Sequence, residues 1–281
     1  MKFFHHLLIA LFLFSSNFFA QSDNEDYTLE EIIVTAQKTE KSLQDVPIAV
    51  SALSADDLAL RQAVRFTDLQ LNVPNLSYSE TNFGGSSVSI RGIGRLATGI
   101  SFDQSVTTHI NESPWGENTN VATMFDMDRV EVLRGPQGTL FGRGTTAGLV
   151  NLVTKRPSVD SGVEGYAGFT TGEYDLQVFE GAVNIPLDDN FAVRAAYTQT
   201  ERDGFTENLY APVGGTFDGR EHYVGRISLR YDTGNTVIDY MYQEHEEEST
   251  RTLRTNYVCT PSANIARGCT LDGEGIGIAN P

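Results

Sequence analysis

The sequence lacks several features that would place it in a common class of protein. Beyond residues 1–20, no apolar run approaches the roughly eighteen residues that a membrane-spanning helix needs. Only two cysteines occur, Cys259 and Cys269, which is too few for a disulfide framework. The 20 basic residues are outnumbered by 37 acidic ones, and the net charge is −17. Because this charge repels phosphates at long range, we expect no nucleic-acid partner.

The motifs of common enzymes and metal sites are also missing. The sequence has no GxxxxGK(S/T), no HExxH and no nucleophile elbow, and its five histidines are scattered. Gly92–Ala97 and Gly142–Ala147 each fit a loose GxGxx(G/A) pattern, but neither opens a helix in a βαβ unit. We therefore expect no enzymatic activity, no cofactor and no metal site.

A targeting segment occupies the start of the chain. Lys2 gives it a positive charge, Phe3–Phe14 is apolar except for two histidines, and Ala20 suits cleavage before Gln21. This pattern predicts a signal peptide at residues 1–20. The polar and acidic residues that follow predict a tether over residues 21–45.

The second half of the chain alternates between apolar and polar residues, as strands with one apolar face do. Both an outer-membrane barrel with that face in lipid and a soluble sandwich with that face inside fit the alternation. Short connections at 186–190 and 232–235, opposed to long ones at 203–220 and after residue 245, favour the barrel. The predicted strands are Val163–Thr171, Tyr174–Ile185, Phe191–Thr200, Glu221–Tyr231 and Thr236–Glu244.

The first half carries shorter local signals. Ser54 followed by Asp57 resembles a capping box and predicts a helix that runs to about Arg65. Thr67 is placed to cap a second short helix that ends at Leu71. Further strands are predicted at Val46–Ser51 and Val88–Gly94.

The most distinctive stretch is Asp126–Pro157, which reads DMDRVEVLRGPQGTLFGRGTTAGLVNLVTKRP. Strand-like runs at Arg129–Leu133 and Leu149–Thr154 flank a glycine-rich crossing, which predicts a unit folded by turns and without helix. The segment VEVLRGPQGTLFGRGTTAG resembles the end of the plug domain of TonB-dependent outer-membrane receptors. VPIAVSALSADDL, FTDLQLNVPNLSYS and VSIRGIG resemble the same domain, so that the resemblance covers Leu29 to about Pro157.

The resemblance implies a fold in two parts. Residues 46–157 would form an α+β plug, a small mixed sheet with short helices. Residues 158–281 would supply about five strands of an antiparallel transmembrane β-barrel in the cell outer membrane. A plugged barrel of this kind has about 22 strands, so we expect the chain to be a fragment. The plug-motif residues are Arg91, Gly92, Arg129, Glu131, Arg134, Gly135, Pro136, Gly138 and Gly142, whose charged members we expect to stabilise the plug or its contact with the barrel.

The run EIIVTA near the N-terminus is a second candidate site. It is an isolated strand-former in a polar tether, with no partner strand evident in the sequence. Such a run is often a core strand, but an exposed one invites strand addition by another chain. The run also resembles the TonB box, the segment that pairs with TonB of the inner-membrane energising complex. The TonB-binding residues implied are Glu31, Ile32, Ile33, Val34, Thr35 and Ala36.

The resemblance implies active import of a small ligand, with a ferric siderophore as the first expectation. A carbohydrate, cobalamin or an aromatic compound stays open, as does a soluble secreted binding module. The His109–Trp115 stretch departs from the turn and aromatic that are common in the family, so the ligand class is open.

Besides TonB, the partners implied are outer-membrane lipid and an iron chelate. Predicted ligand contacts are Asn82, Phe83, Arg95 and Trp115; Cys259 and Cys269 are a candidate disulfide within a long loop.

Overall fold

The computed structural model describes residues 32–35, 38–39, 41–80, 86–94, 104–115, 124–207 and 215–250. Several predictions fall outside these ranges. They concern the signal peptide at 1–20 and the residues Glu31, Ala36, Asn82, Phe83, Arg95, Cys259 and Cys269.

The described part of the chain begins, at Ile32, with short elements. Strands β1 (Ile33–Val34) and β2 (Lys41–Ser42) pair antiparallel with each other, and β3 (Ala49–Ser54) leads into helix α1 (Ala55–Leu60). The predicted capping box is confirmed, because the Asp57 amide donates to Ser54 Oγ at 3.1 Å and the Ser54 amide donates to the Asp57 carboxylate at 3.3 Å. Helix α1 ends at Leu60, before the predicted end near Arg65.

The second helical segment is capped differently from the prediction. A single 3₁₀ turn (Phe66–Asp68) precedes helix α2 (Leu69–Asn72). The side chain of Asp68, not that of Thr67, accepts from the start of this segment, with the Arg65 amide at 2.8 Å. The predicted cap at Thr67 is therefore wrong: Thr67 lies inside the 3₁₀ turn, and no side chain caps α2.

Strands β4 (Leu76–Glu80), β5 (Ser86–Ile90) and β6 (Ile93–Gly94) form a three-stranded antiparallel sheet. The sequence predicts one strand over Val88–Gly94, but a tight turn interrupts it. Arg91 and Gly92 both adopt positive φ, 54° and 76°, which matches the turn required by a two-residue hairpin.

A five-stranded mixed sheet forms the centre of the first half. Its later elements are β7 (Val106–Ile110), β8 (Ser113–Pro114), β9 (Met127–Arg134), helix α3 (Gly138–Phe141) and β10 (Gly148–Thr154). The strand order is β3-β9-β10-β7-β8, with β10 parallel to β7 and the other pairs antiparallel. A mixed sheet is as predicted, but the glycine-rich crossing contains one helical turn, α3, where only turns were expected.

The second half forms an antiparallel sheet, here called the wall sheet. Its strands are β11 (Glu164–Gly172), β12 (Leu176–Pro186), β13 (Phe191–Arg202), β16 (Arg220–Asp232) and β17 (Val237–Ser249). They follow one another in sheet order, so the five predicted strands are confirmed with ends shifted by a few residues. Two short paired strands that were not predicted, β14 (Thr206–Glu207) and β15 (Thr216–Phe217), lie between β13 and β16.

The two faces of the wall sheet separate the alternatives left open by the alternation. Large apolar side chains such as Ile227 and Tyr242, opposite each other in register, are 51% and 54% exposed. The other face carries Arg194 and Arg226, both buried, and packs against the first half of the chain. A soluble sandwich would bury the apolar face, whereas a barrel turns it toward lipid. No helix within the described ranges is long and apolar enough to cross a bilayer.

Candidate functional site

The N-terminal segment, defined here as Ile32–Thr35, lies against the mixed sheet. Ile33 pairs with Ser42 and Val34 with Lys41, and the side chain of Val34 is fully buried. The prediction of an exposed strand without a partner is therefore wrong. The chain reverses at Lys38, where φ is 57° and the amide donates to Thr35 O at 2.8 Å, and this turn returns β2 to the segment.

Apolar contacts hold one side of the segment. Val34 belongs to a cluster with Leu133 of β9, Leu149 of β10 and Phe141 of helix α3. The glycine-rich crossing places Phe141 over this face of the sheet. Leu133 and Phe141, both in the stretch VEVLRGPQGTLFGRGTTAG, therefore form part of the apolar surface that Val34 contacts. Lys38 adds a cation–π contact, with its Nζ 5.5 Å from the centre of the Phe141 ring.

A buried carboxylate holds the other side. Glu131 is fully buried and accepts from the Thr35 amide at 2.8 Å, and from Thr35 Oγ1 at 3.2 Å to each carboxylate oxygen. Arg129 Nε donates to the same carboxylate at 2.8 Å, and Asn151 Nδ2 donates at 3.3 Å. A buried charge is costly unless it is paired and hydrogen-bonded, and here the N-terminal segment provides part of that compensation.

Asn151 extends this network to the turn between β7 and β8. Its Oδ1 accepts from the Glu112 amide at 3.0 Å, while its Nδ2 also lies 3.5 Å from Thr35 Oγ1. In the same turn, the side chain of Asn111 accepts from the Thr154 amide at 3.0 Å and has its Nδ2 3.4 Å from Met241 Sδ of β17. The network thus connects the N-terminal segment, the mixed sheet and the wall sheet.

His109 lies beside Asn151 in the sheet register and is almost fully buried. Its Nδ1 is 3.0 Å from Glu112 O, its Nε2 is 3.2 Å from Thr107 Oγ1, and its ring meets Phe141 edge-on at 5.5 Å between centroids. Burial lowers the pKa of His109 from 6.5, the hydrogen bond to Glu112 O raises it, and the nearby Lys38 lowers it. The neutral imidazole is therefore the form that suits the folded protein.

The remaining plug-motif residues shape the backbone. Gly135 and Gly142 have positive φ, 103° and 84°, and the Gly135 amide donates to Ala147 O at 2.8 Å where the crossing begins. Arg134 Nε is buried without a hydrogen-bond partner among the residues the structure describes. Of the nine predicted motif residues, only Arg129 and Glu131 join the network that contacts the N-terminal segment. The others, Arg91, Gly92, Arg134, Gly135, Pro136, Gly138 and Gly142, lie in turns, in the crossing or at strand ends.

A buried ion pair between Asp126 and Arg194 joins the plug to the wall sheet, and the sequence did not single out either residue as part of a site. Arg194 donates to both oxygens of Asp126, at 2.9 and 2.5 Å, and both side chains are buried. The guanidinium of Arg226 lies 4.6 Å from the centre of the Phe125 ring and reaches Asp126 O at 3.4 Å. The available signal was the placement of two arginines on the polar face of adjacent predicted strands.

Of the four predicted ligand contacts, only Trp115 lies in the described ranges. It is partly buried against the core, and its amide donates to Thr108 O at 2.9 Å. Its role toward a ligand stays a prediction. No group of three or more His, Cys, Asp or Glu side chains suited to a metal ion occurs in the part of the chain that the structure describes.

The chain is similar to known outer-membrane receptors in sequence and in structure. Residues 42–149 match the TonB-dependent receptor plug domain. The iron-regulated outer membrane virulence protein of Vibrio cholerae is 30% identical over 202 residues, 68% of this chain and 30% of the relative. The vitamin B12 transporter of Vibrio vulnificus is 25% identical over 240 residues, 79% of this chain and 39% of the relative. The ferric yersiniabactin uptake receptor of Yersinia pestis superposes with a TM-score of 0.62 at 24% identity, covering 70% of this chain and 31% of that structure.

These matches define a plugged outer-membrane receptor, in which a mixed-sheet plug precedes barrel strands. The chain belongs to the TonB-dependent outer-membrane receptors, a family of transporters and receptors rather than enzymes. Its location is the outer membrane, and it spans about a third of the length of the first curated relatives it matches. The fold class and the family resemblance predicted from the sequence are confirmed.

Proposed function

We propose that the protein imports a small ligand across the outer membrane, and that residues 31–36 are the segment that pairs with TonB. The observation that supports this role is the way Ile32–Thr35 is attached. The segment pairs only with the two-residue strand β2 and is not a strand of the mixed sheet. Its release breaks the pairing with β2 and the contacts of Val34 and Thr35 with the mixed sheet, but no strand pairing of that sheet.

A segment of this kind suits recognition by strand addition. Strand addition uses the backbone amides and carbonyls of an extended peptide, with specificity from alternate side chains. Val34 is buried while the neighbouring Ile33 is 40% exposed, so the two side chains already alternate as they would beside a partner strand. Once the segment leaves the plug, its backbone becomes available to TonB.

The order of the strands suits a plug that yields from one side. Strand β3 is the first strand of the mixed sheet after the segment, and among the described strands it lies at the edge of that sheet, paired with β9. Force applied at the N-terminal segment therefore reaches an edge strand first. The Asp126–Arg194 pair holds the start of β9, the strand next to β3, on the wall sheet.

A ferric siderophore is our first candidate for the ligand. Two of the matched proteins are named as an iron-regulated virulence protein and a ferric yersiniabactin uptake receptor, which favours an iron chelate. The match to a vitamin B12 transporter keeps a cobalamin-like ligand as the second candidate. We assign residues 21–45 to the tether, 46–157 to the plug and 158–281 to the barrel.

The role of the segment is tested with Ile33→Pro in the full-length gene, expressed in a deletion strain. Proline removes a backbone donor and restricts the chain, so energised uptake of labelled iron chelates should be lost while ligand binding to isolated outer membranes persists. Ile33→Ala, which keeps the backbone donor, should retain uptake. Equal uptake by the proline variant and wild type would remove the assignment of the segment.

The ligand class is tested with the same deletion strain. Growth and uptake are compared for a panel of iron chelates, cobalamin and carbohydrates, with and without the full-length gene. Gene-dependent growth on iron chelates alone supports the first candidate. Recovery of the full-length product as a soluble periplasmic or secreted protein would instead support the binding-module alternative.

A further inference from the structure

We propose that Glu131 and Asn151 are positioning residues that keep the TonB-binding segment docked, and that the β7–β8 turn controls how firmly they hold it. The inference rests on the proposed function of residues 31–36. In the resting state the segment is docked, Glu131 and Asn151 hold it there, and the β7–β8 turn is a second place in the plug from which it can be released.

In the docked segment the backbone N–H of Thr35 is already occupied. Its N–H donates to Glu131 at 2.8 Å, and its hydroxyl contacts both oxygens of the same carboxylate. A backbone donor occupied in this way is not available to a partner strand. Glu131 therefore competes with TonB for the same amide, and docking and partner binding exclude each other at this residue.

The buried Glu131 carboxylate keeps a partner when the segment leaves. An uncompensated buried carboxylate would make release very costly. Arg129 Nε, at 2.8 Å, is a donor that stays with the sheet. The carboxylate keeps this partner after it loses Thr35, so the site is built for two states rather than for permanent attachment.

The side chain of Asn151 faces two ways. Its Nδ2 serves Glu131 and Thr35, and its Oδ1 accepts from the Glu112 amide at 3.0 Å. A displacement of the β7–β8 turn withdraws that donor and leaves the Asn151 side chain free to rotate. Rotation removes the Nδ2 contact with Thr35 Oγ1, at 3.5 Å, and the donor that orients the Glu131 carboxylate toward Thr35, so the hold on the segment weakens.

The β7–β8 turn is suited to such displacement. Asn111 and Glu112 both adopt positive φ, 48° and 66°, in a turn without glycine, a conformation that is unfavourable for most residues. The turn is held by side chains, including Asn111 to Thr154 and His109 to Glu112 O. Asn111 also contacts Met241 of the wall sheet, so movement of the plug against the wall reaches the turn directly.

The test is hydrogen–deuterium exchange on the full-length receptor reconstituted in lipid, followed at peptides covering residues 31–36 and 109–113. Glu131→Gln keeps the shape of the side chain and removes its charge, so exchange in residues 31–36 should accelerate by about tenfold or more, equivalent to about 1.4 kcal/mol. Asp128→Asn is the matched control, because Asp128 also pairs with Arg129 but does not touch the segment. Its exchange in residues 31–36 should stay within about twofold of wild type.

Binding of the soluble periplasmic part of TonB separates the two proposals. With Glu131→Gln and without ligand, TonB should bind about tenfold more tightly, because fewer segments are docked. If exchange accelerates but TonB binds neither wild type nor variant, the docking role stands and the proposed partner is wrong. If exchange in residues 31–36 is unchanged, the role of Glu131 is overturned.

Three further variants keep the proposal testable if the Glu131→Gln protein fails to fold. Thr35→Val removes only the hydroxyl and should accelerate exchange in residues 31–36, whereas Thr35→Ser should restore wild-type exchange. Asn151→Ala should accelerate exchange both in residues 31–36 and at Glu112. A response at only one of these places would overturn the connection between the turn and the segment, and identical exchange in the valine and serine variants would overturn the contribution of Thr35.

Discussion

Arg194 forms a bidentate ion pair with the carboxylate of Asp126, in which two guanidinium nitrogens donate to the two oxygens, although the two residues are 68 positions apart in the chain. Asp126 stands immediately before β9, and Arg194 lies on the polar face of the wall sheet. Bidentate guanidinium–carboxylate pairs are stronger and more directional than single hydrogen bonds. This pair therefore fixes where the plug meets the wall.

Removing Arg194 should loosen that junction. Arg194→Met leaves Asp126 buried without its partner, which should lower the stability of the plug by about 3–5 kcal/mol. Urea titration read out by exchange in peptides covering residues 124–134 measures the change. Arg230→Met is the control, since its pair with Asp239 is more exposed and should contribute about 1 kcal/mol or less. Equal losses in the two variants would contradict a special role for the buried pair.

Gly148 should not tolerate a side chain. Its φ is 150°, and a Cβ would lie 2.2 Å from Leu133 O and 2.8 Å from Ile90 Cδ1. Gly148→Ala should therefore destabilise the plug by about 2–5 kcal/mol, combining backbone strain with overpacking. Gly138→Ala is the matched control, because nothing lies within 4 Å of its added Cβ and its position is helical. Protease resistance of the plug in isolated outer membranes should fall in the first variant and persist in the second.

The stability around His109 should fall in acid. Its pKa is lowered mainly by burial, so the unfolded chain binds a proton below pH 6.5 that the folded protein resists. The neutral ring contributes its full share to the free energy of unfolding above that pH. This contribution decreases as the pH falls toward the pKa of His109 in the folded protein, which is the lower of the two. Exchange in peptides covering residues 106–110 should accelerate between about pH 7.5 and pH 5.5, after correction for intrinsic exchange rates. His109→Gln should remove most of this pH dependence; an unchanged profile would assign it to other groups.

The outward face of the wall sheet should respond to charge according to position. Ile227 lies among apolar neighbours, opposite Ala195 and Tyr242, whereas Glu221 lies opposite Glu201 and Glu248. Ile227→Arg should cost about 2–4 kcal/mol if its row lies at the bilayer centre, and Glu221→Arg about 0–1 kcal/mol. Denaturant titration of the full-length receptor folded into lipid vesicles compares them. If Glu221→Arg lowered the free energy of unfolding more than Ile227→Arg, the assignment of the Ile227 row to the bilayer centre would be wrong.

The wall strands could be predicted from the sequence because each contact along a strand repeats every two residues. The alternation in Phe191–Arg202 and Arg220–Asp232 identifies the strands and both faces, and the structure confirms them. The capping box at Ser54 and Asp57 was equally accessible, since both partners lie within one helical turn. Local periodicity and local hydrogen bonds are the properties that a single sequence records.

The docking of the N-terminal segment could not be predicted, because it depends on contacts between residues that are far apart in the sequence. Its polar partner, Glu131, is 96 residues away from Thr35, and the returning strand Lys41–Ser42 has no apolar pattern to identify it. Glu131 was singled out through the family motif, but the motif does not reveal what the carboxylate binds. The contact of Asp126 with Arg194 was missed in the same way. Long-range pairs between polar residues leave no periodic trace.

The small size of the β1–β2 pair has a mechanical consequence. About 16 residues separate Ile33 from the first residue of β3. Once β1–β2 opens and the apolar contacts of Val46 and Ile48 are released, they span roughly 50 Å when fully extended. Under the proposed pairing, TonB bound to the segment must first extend these residues before any force reaches the edge of the mixed sheet. The length of this linker therefore separates binding of the segment from extraction of the plug: a short displacement of TonB would leave the plug in place, and only a long one would detach β3.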